Sequence, residues 1–397
     1  MASSSILWQN DKKTVVLLDL PRSIEEAQVP SSELTTTDGK PPNKLRRLIT
    51  ALPPAFPFPT PEPKKAGGSE PPAASPSAQV AELMTRATVE SALEEIRKSY
   101  DGPWCLPRIT SPPNPNLAPP PPPPESSPSS SGTSPSPSSS LLHHQHHHIP
   151  PSSHPLQGKI SSTLLSTAPP PDNQKQFNLI ILDPPWPNRS AKRKRGAHAY
   201  QPAADLASVR ALLGQIPVAS LLAPGGLVAV WVTNAARFAE LLLTSSTSSF
   251  SSSSGNNKTR GGGGGGGVFG ELWDVELVGE WTWLKVTTAG EPVVGVGSAW
   301  RKPWERLLIA RRRGAGGGGG GGSVGGKVIV SVPDVHSRKP NLRGLFEELL
   351  PDKYEAMEVF ARNLTAGWWA WGDEVLLFQR RECWVDEDEI EHKGGGG

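Results

Sequence analysis

Short aliphatic runs alternate with amphipathic stretches along the second half of the chain. The run Phe177–Leu182 shows no regular polar alternation, which is typical of a strand buried on both faces of a parallel sheet. Strands that alternate with helices favour an α/β fold with a doubly wound sheet. The same patterns predict strands near residues 227–232, 275–286, 306–310, 327–332, 354–360 and 374–378, and helices at 206–216 and 341–350.

The first part of the chain has its own pattern. A strand-like run at Thr14–Leu20 and a helical stretch at Val80–Tyr100 indicate a small N-terminal module over residues 1–110. Residues 111–171 are rich in Pro, Ser and His and cannot bury enough apolar surface to offset the entropy of ordering, so we predict that they are disordered. The α/β domain is predicted at residues 172–382, with low-complexity inserts at 244–267 and 313–326, and an acidic, glycine-rich tail follows at 383–397.

Composition narrows the class of protein. With 44 Pro, 40 Gly and 36% hydrophobic residues among 397, only part of the chain can build a core. The net charge of +2 gives no global basic field, and two cysteines cannot form a disulfide framework or a zinc site. The histidines at 143–148 fit a low-complexity tract better than a metal site. Without an apolar run of membrane-spanning length or a secretion signal, we expect a soluble intracellular protein that needs neither membrane nor metal.

The apolar run that begins at Phe177 ends in Asp183-Pro184-Pro185-Trp186. Ligands of parallel sheets bind beyond the carboxyl ends of the strands, so we expect this tetrapeptide at a binding site. The Asp183 carboxylate and the Pro184 main-chain carbonyl could each accept one N–H of an exocyclic amine on an aromatic base, which turns the nitrogen lone pair towards an electrophilic methyl group. The prolines stiffen the turn and should leave the Pro184 carbonyl without a local partner, while Trp186 offers a face on which a base can stack.

The tetrapeptide also has a simpler interpretation. A strand that ends in Asp-Pro-Pro is an ordinary turn, and Trp is an ordinary core residue. Taken alone, these residues leave a catalytic and a purely structural role open.

Basic residues follow the tetrapeptide closely. A cluster of cations beside a base-stacking residue suits contact with nucleic-acid phosphates, but it is also typical of a nuclear-import signal or of a solvated loop. The segment Trp300–Glu305 repeats the combination of cations and aromatic rings. The candidate nucleic-acid contacts are Arg189, Lys192, Arg193, Lys194, Arg195, Arg301 and Lys302.

Several further motifs follow in a fixed order. They are Trp281-Thr282-Trp283-Leu284-Lys285, Arg301-Lys302-Pro303-Trp304-Glu305, His336-Ser337-Arg338-Lys339-Pro340, Phe360-Ala361-Arg362-Asn363-Leu364, and Gly367-Trp368 with Trp371-Gly372-Asp373-Glu374-Val375. In this order the chain resembles the adenine-N6 methyltransferases of the methyltransferase-like family, in particular the methyltransferase-like protein 4 group. The segments Ile6–Asn10 and Leu20–Ala27 resemble the fungal-type N-terminal region of that group.

The resemblance implies a Rossmann-like methyltransferase fold in permuted order that uses S-adenosylmethionine. It assigns catalysis to Asp183, Pro184, Pro185 and Trp186, and it suggests that the segment Trp104–Arg108 closes over the cofactor adenine. Relatives usually carry Asn where Asp373 stands, so a donor role at that position is in doubt. By motif match the cofactor-binding residues are Lys339, Glu358, Arg362, Asn363, Asp373 and Glu374.

The expected reaction is methyl transfer to N6 of adenine in nucleic acid. We favour RNA, with 2′-O-methyladenosine of small nuclear RNA as the implied target, while adenine in DNA remains an alternative. A catalytically silent nucleic-acid-binding subunit and a scaffold that recruits partners through its proline runs are the rival hypotheses. We expect a nuclear protein that is active as a monomer.

Overall fold

The computed structural model of the chain describes residues 4–34, 45–59, 76–110, 147–160, 175–187, 205–244, 266–298, 301–313, 323–335 and 337–385. The predicted disorder at 111–146 and 161–174, the central parts of both inserts and most of the tail lie outside these residues. Within the described part, no helix is both long and apolar enough to cross a membrane.

A ten-stranded mixed sheet forms the centre of the protein. Its order is β1-β2-β10-β8-β9-β7-β6-β11-β12-β5, and a separate small sheet has the order β13-β3-β4. The strands are β1 (Ile6–Gln9), β2 (Val15–Leu18), β3 (Arg47–Thr50), β4 (Ile109–Thr110), β5 (His154–Gln157), β6 (Phe177–Leu182), β7 (Leu222–Val232), β8 (Val275–Lys285), β9 (Trp304–Arg312), β10 (Lys327–Ser331), β11 (Ala356–Val359), β12 (Trp369–Gly372) and β13 (Trp384–Val385).

Helices cover the sheet. The α-helices are α1 (Leu20–Glu26), α2 (Ser31–Leu34), α3 (Pro76–Ser99), α4 (Leu206–Gly214), α5 (Val218–Leu221), α6 (Ala236–Leu243) and α7 (Arg343–Phe346). A π-helical turn spans Val268–Leu272, and 3₁₀ turns span Glu347–Leu349, Leu377–Gln379 and Arg381–Cys383. Side-chain caps fix two helix starts: Asp19 accepts from the Arg22 N–H of α1, and Asp205 accepts from the Ser208 N–H of α4.

Alternation along the central strands explains why both faces need cover. Ile180 and Leu182 of β6 pack into one hydrophobic cluster with α4, α6 and the π-helical turn. Leu179 and Ile181 point the other way, into a second cluster with α1 and α7. Successive side chains of a strand face opposite sides, so an all-aliphatic strand must be buried on both. This confirms the prediction of a doubly covered central strand at 177–182.

The N-terminal residues are part of the same sheet. Strand β2 pairs in parallel with β10, and α3 packs on β2, β8 and β10 through Val89, Leu93 and Ile96. The predicted boundary between an N-terminal module and an α/β domain therefore does not separate two bodies. The predicted tail at 383–397 likewise begins inside the fold, because β13 pairs with β3.

Residues 147–160 correct the prediction of disorder across 111–171. They contain β5, which pairs in parallel with β12 at one edge of the sheet. The His154 ring stacks on Trp369 with centroids 4.6 Å apart. Four residues with a polar one at each end give no clear strand pattern, so only the pairing with β12 reveals this element.

Two other predicted elements differ in the structure. The strand predicted at 374–378 is wrong: the last parallel strand is β12, and Leu377–Gln379 is a 3₁₀ turn. The helix predicted at 341–350 is shortened to α7 and one 3₁₀ turn. Residues 323–326 of the second predicted insert are ordered, because Val324 is buried and its N–H donates to the Val278 carbonyl.

Candidate active site

The polar residues of the candidate site lie at the edge of the large sheet that is formed by the ends of its strands. Strands β6, β7, β11 and β12 are parallel, and β8, β10 and β2 point the same way because β7 and β8 are both antiparallel to β9. The carboxyl ends of all these strands therefore lie at one edge, where ligands of such sheets bind. Asp183 follows β6, Phe360 follows β11, Asp373 follows β12 and Lys285 ends β8, while Glu305 is the second residue of the antiparallel β9.

A row of alternating charges runs along this edge. The Lys339 Nζ lies 3.4 Å from the Asp183 Oδ1 and 2.6 Å from the Glu305 Oε2. The other Glu305 oxygen accepts from the Lys285 ammonium. The indole rings of Trp231 and Trp283 face Lys339 at 5.3 and 5.9 Å from the ring centroids. Lys339 thus has a carboxylate on two sides and aromatic surface on a third.

Burial and neighbouring charges set the protonation of these groups. Burial raises the pKa of the Asp183 carboxyl above its ordinary value, and the Lys339 ammonium opposes that rise. Burial would also raise the pKa of Glu305, but the ammonium groups of Lys285 and Lys339 outweigh it and hold that pKa far below the ordinary range. Burial would lower the pKa of Lys339, yet Asp183 and Glu305 raise it. Glu305 and Lys339 are therefore both charged at neutral pH.

Glu358 is a second carboxyl group close to Asp183. It lies on β11, whose residues Glu358 and Val359 pair with Ile181 and Leu182 of β6. Burial first, and the Asp183 carboxylate second, raise the pKa of Glu358 to about 8. Glu358 is therefore mostly protonated near neutral pH in the ligand-free protein, and it can donate as well as accept a hydrogen bond.

Trp186, the last residue of the tetrapeptide, packs its side chain against β7 and α6. The indole N–H of Trp186 donates to the Trp231 carbonyl of β7 at 2.7 Å, and its ring lies 4.8 Å from that of Phe238 in α6. With the residue only 5% exposed, the indole leaves little surface for a base. The prediction that a base stacks on Trp186 is not supported by this geometry: the ring anchors the turn that carries Asp183.

The turn itself corrects a second expectation. The Trp186 N–H donates to the Pro184 carbonyl at 2.8 Å, so that oxygen has a local partner. A carbonyl oxygen carries two lone pairs, and the second can still accept a hydrogen bond. Pro184 and Pro185 are buried, and the Asp183 N–H donates to the Val359 carbonyl. The acceptor pair of Asp183 and Pro184 is thus fixed by the backbone.

The predicted cofactor residues lie around the ends of β11 and β12. The Arg362 Nε pairs with the Glu374 Oε2 at 3.0 Å, while Asn363 is partly buried and Asp373 is exposed. Between these strands Phe360 adopts a left-handed backbone, with φ of 61°, a strained conformation that is common at ligand sites. Lys339, Glu358 and Arg362 lie close enough to Asp183 for their charges to interact with it, and Asp373 and Glu374 follow the carboxyl end of β12. Asn363 lies in the connection between β11 and β12, and its side chain has no contact that places it at this edge.

The predicted nucleic-acid contacts have a mixed outcome. Arg189, Lys192, Arg193, Lys194 and Arg195 lie outside the described residues. Arg301 is exposed and precedes the start of the antiparallel β9, which places it at the same edge as Asp183, here called the catalytic edge. Lys302, in contrast, is paired with Glu82 of α3 and lies over the Trp304 ring, with 11% of its side chain exposed. Its ammonium is used inside the protein, so the structure does not support Lys302 as an open phosphate contact.

Lys285 and Glu305 are site residues that the sequence interpretation missed. Both belong to motifs that were recognised, but a Lys and a Glu separated by 20 residues give no sign that they form an ion pair. Their positions in two strands could have indicated them. Lys285 ends β8 and Glu305 lies near the start of β9, and in two neighbouring antiparallel strands these ends lie side by side.

The segment Trp104–Arg108 lies elsewhere on this edge. The Leu106 N–H donates to Asp19, after β2, and the Arg108 Nη2 donates to the Val332 carbonyl, after β10. These strands are at the far side of the sheet from β11 and β12. In this structure the segment does not lie beside the cofactor residues predicted at β11 and β12. Within the described residues, no cluster of His, Cys, Asp and Glu is suited to hold a metal ion.

Comparison with known proteins agrees with this geometry. The MT-A70 family pattern matches residues 177–245 and 266–374, which contain Asp183, Glu305, Lys339 and Glu358. The chain is 46% identical to the "N6-methyladenosine RNA methyltransferase MTA1" of Cryphonectria parasitica, over 96% of this chain and 94% of that protein. It is 44% identical to the protein of the same name from Pyricularia oryzae, over 96% and 97% of the two chains.

A human relative is more distant. The "N(6)-adenine-specific methyltransferase METTL4" of Homo sapiens is 31% identical over 53% of this chain and 40% of that protein. The near full-length match to the fungal proteins and the family match around the charged edge lead to one assignment. The chain belongs to the MT-A70 family and is an adenine-N6 methyltransferase.

Proposed function

We propose that this protein transfers a methyl group from S-adenosylmethionine to N6 of an adenine in RNA. The observation that carries the proposal is the Asp183 carboxylate, fixed at the catalytic edge beside the Lys339 ammonium at 3.4 Å. The Lys339 ammonium opposes the rise that burial causes in the pKa of Asp183, and an ionised carboxylate is an acceptor for an amine N–H.

Asp183 and Pro184 supply the chemistry that an exocyclic amine requires. Each accepts one N–H of the amine, so that the nitrogen lone pair leaves conjugation with the ring and can form the new N–C bond. The cofactor would give up its methyl group to this bond and leave as a neutral thioether, and the amine nitrogen must then lose one proton. Asp183 is placed to hold that proton before solvent takes it.

The residues around Asp183 fit the proposed cofactor. S-adenosylmethionine, when bound, supplies the electrophilic methyl group. Lys339 would hold a carboxylate, Glu358 would bind a ribose hydroxyl, and Arg362 with Glu374 would form the wall of the pocket. A Rossmann-like fold in permuted order is part of the proposal, since Asp183 precedes Lys339 and Glu358 along the chain while all three meet at one edge.

The proposal of RNA rests on the relatives. The two fungal proteins with near full-length similarity carry RNA in their names. As the finer proposal, we suggest that the target is 2′-O-methyladenosine in small nuclear RNA, with adenine in DNA as the alternative.

An assay with labelled S-adenosylmethionine tests substrate and mechanism together. Single-stranded RNA with and without 2′-O-methyladenosine, single-stranded DNA and duplex DNA would be compared. We expect RNA to be the best substrate and Asp183→Asn to lower kcat by about 100-fold or more, because the amide replaces an acceptor with a donor. Calorimetry should show that this variant still binds the cofactor. Full activity of Asp183→Asn, or a preference for DNA, would overturn the corresponding part of the proposal.

We further propose that the protein acts as a monomer in the nucleus. Sedimentation during turnover tests the first statement. A fluorescent fusion with the basic residues 192–195 replaced by alanine tests whether that run directs import.

A further inference from the structure

Residues 51–59 form an exposed apolar segment, here called the strap. Leu52 and Phe56 are each 79% exposed, and Phe58 is 50% exposed. A single exposed apolar residue is ordinary, but three within seven residues concentrate apolar surface in one short segment, and concentrated apolar surface is typical of interaction sites.

The strap is exposed although its backbone is fixed. The Ala51 N–H donates to the Asp334 Oδ1 at 2.7 Å, the Thr288 N–H donates to the Pro54 carbonyl at 2.9 Å, and the Phe58 N–H donates to the Val293 carbonyl at 2.7 Å. Four prolines, at 53, 54, 57 and 59, restrict the chain further. The aromatic rings are therefore presented to solvent from a backbone that loses little entropy when a ligand binds.

Hydrogen bonds connect the strap to the catalytic charges. The Val293 N–H donates to the Lys285 carbonyl at 3.0 Å, and the Lys285 N–H donates to the Pro303 carbonyl at 2.7 Å. Phe58, Val293, Lys285 and Pro303 thus lie side by side. With about 5 Å between neighbouring extended backbones, the row spans about 15 Å. The Lys285 side chain in this row pairs with Glu305, which in turn binds the Lys339 that contacts Asp183.

Leu52 and Pro53 of the strap also line a pocket. Its volume is about 440 Å³, and its lining includes Leu52, Pro53, Cys105, Leu106, Pro107 and Arg108. This volume is within the range of ligand sites, and the walls are mostly apolar with one guanidinium group. A flat apolar ligand with a negatively charged backbone suits such a combination of surfaces.

We propose that the strap and this pocket bind unpaired bases next to the target adenine. The inference rests on the proposed function, since Asp183 can reach the amine of an adenine only when that base is outside a helix. The flanking nucleotides are then single-stranded, and aromatic side chains beside a nucleic-acid channel stack such bases without regard to sequence. Phe56 and Phe58 supply two rings, and Arg301, exposed beyond Pro303, supplies a cation for the backbone.

The test is the binding of a fluorescein-labelled oligoadenylate of about 12 nucleotides, a length within the site sizes of single-strand binders. We expect Phe56→Ala with Phe58→Ala to weaken binding by about tenfold for each ring removed and to raise KM for RNA equally. The value of kcat at saturating RNA and the affinity for S-adenosylmethionine should not change. Phe56→Tyr with Phe58→Tyr should restore binding because the rings are kept.

A matched control removes exposed apolar side chains elsewhere. Leu277 lies near the start of β8, at the opposite edge of the sheet, and Leu349 lies in the 3₁₀ turn after α7; both are exposed. Leu277→Ala with Leu349→Ala should leave RNA binding unchanged. Equal RNA affinity of the Phe56, Phe58 double alanine variant and the unsubstituted protein would overturn the proposal and leave the strap to a protein partner. Loss of binding without any adenine methylation by the unsubstituted protein would instead refute the proposed function and keep the binding surface.

Discussion

Lys339 bridges Asp183 and Glu305, with its ammonium 3.4 Å from one carboxylate and 2.6 Å from the other. The three residues come from different parts of the chain: after β6, at the start of β9 and after β10. Lys285 completes the row on the far side of Glu305. The row thus contains two carboxylates and two ammonium groups, and Lys339 binds Glu305 as well as Asp183. Asp183 therefore keeps the acceptor capacity that the proposed contact with a substrate amine requires.

Replacement of Glu305 should disturb this balance. In Glu305→Gln, Lys285 and Lys339 lose their shared counter-charge, and Lys339 should bind Asp183 more tightly and compete with the substrate amine. We expect kcat to fall about 10- to 100-fold, with a loss of stability of about 1–3 kcal/mol because partly buried cations lose their partner. Steady-state kinetics and urea unfolding measure the two effects.

Glu280→Gln is the matched control for Glu305→Gln. Glu280 pairs with Arg306 at 3.5 Å across the same two strands but does not contact Lys339 or Asp183. This variant should keep its kcat. Equal kinetics for Glu305→Gln and Glu280→Gln would show that Glu305 has no role in positioning Lys339.

Trp186 provides a test of anchoring against base stacking. Trp186→Phe keeps an aromatic ring but removes the N–H that donates to the Trp231 carbonyl at 2.7 Å. If Trp186 anchors the turn, unfolding should require about 1–2 kcal/mol less, and kcat should fall while KM for RNA stays nearly constant. Urea unfolding and kinetics on one preparation check this. A rise in KM alone would favour direct contact with the base.

The sequence predicted the central part of this fold well and its edges poorly. The aliphatic run at 177–182 could only be a doubly buried strand, and Asp183 at its end followed from the geometry of parallel sheets. Strand β5 could not be predicted, because its four residues acquire their conformation from pairing with β12. The misplaced last strand has a similar cause: Val375 and Leu376 are buried in a small separate cluster, which an apolar run does not distinguish from a strand.

The candidate site, too, could be predicted from the sequence only in part. Motif order identified Asp183, Lys339 and Glu358, but motifs do not reveal which charges meet. The pairing of Lys339 with Glu305 depends on the antiparallel insertion of β9 between β7 and β8, a non-local feature. The role of Trp186 could not be read from composition either, since a stacking indole and a core indole are the same residue type.

Gly372 supports the strained turn at Phe360. A Cβ atom on Gly372 would lie 3.3 Å from the Phe360 Cα and 3.4 Å from the Ala361 nitrogen and oxygen. Because these are backbone atoms, Gly372→Ala should shift the turn between Glu358 and Arg362. We expect the Kd for S-adenosylmethionine to rise about 10-fold with a loss of stability of about 1–2 kcal/mol. Calorimetry and thermal unfolding measure both, and Gly344→Ala, which meets no atom within 4 Å, is the control.

Unchanged cofactor affinity in Gly372→Ala would show that the contact between β12 and Phe360 does not shape the pocket. A weaker affinity for S-adenosylmethionine without a loss of stability would still support a role of this contact in shaping the pocket. Cofactor binding would then be a more sensitive measure of the shifted turn than the free energy of unfolding.

Glu358 should make the ligand-free protein less stable as the pH rises. Its pKa is about 8 in the folded state, against about 4.3 for an unperturbed Glu. Between these values the folded state holds a proton that the unfolded state has released, so the free energy of unfolding falls with increasing pH and levels off above about pH 8.

Glu358→Gln cannot titrate and should lose this contribution. Urea unfolding of both proteins from pH 5 to 9 should give a difference that changes steadily across the window. Glu276→Gln, at an exposed position of β8, should follow the unsubstituted protein throughout. Parallel curves for Glu358→Gln and the unsubstituted protein would mean that Glu358 is already ionised at neutral pH, and that it can only accept hydrogen bonds from a ribose.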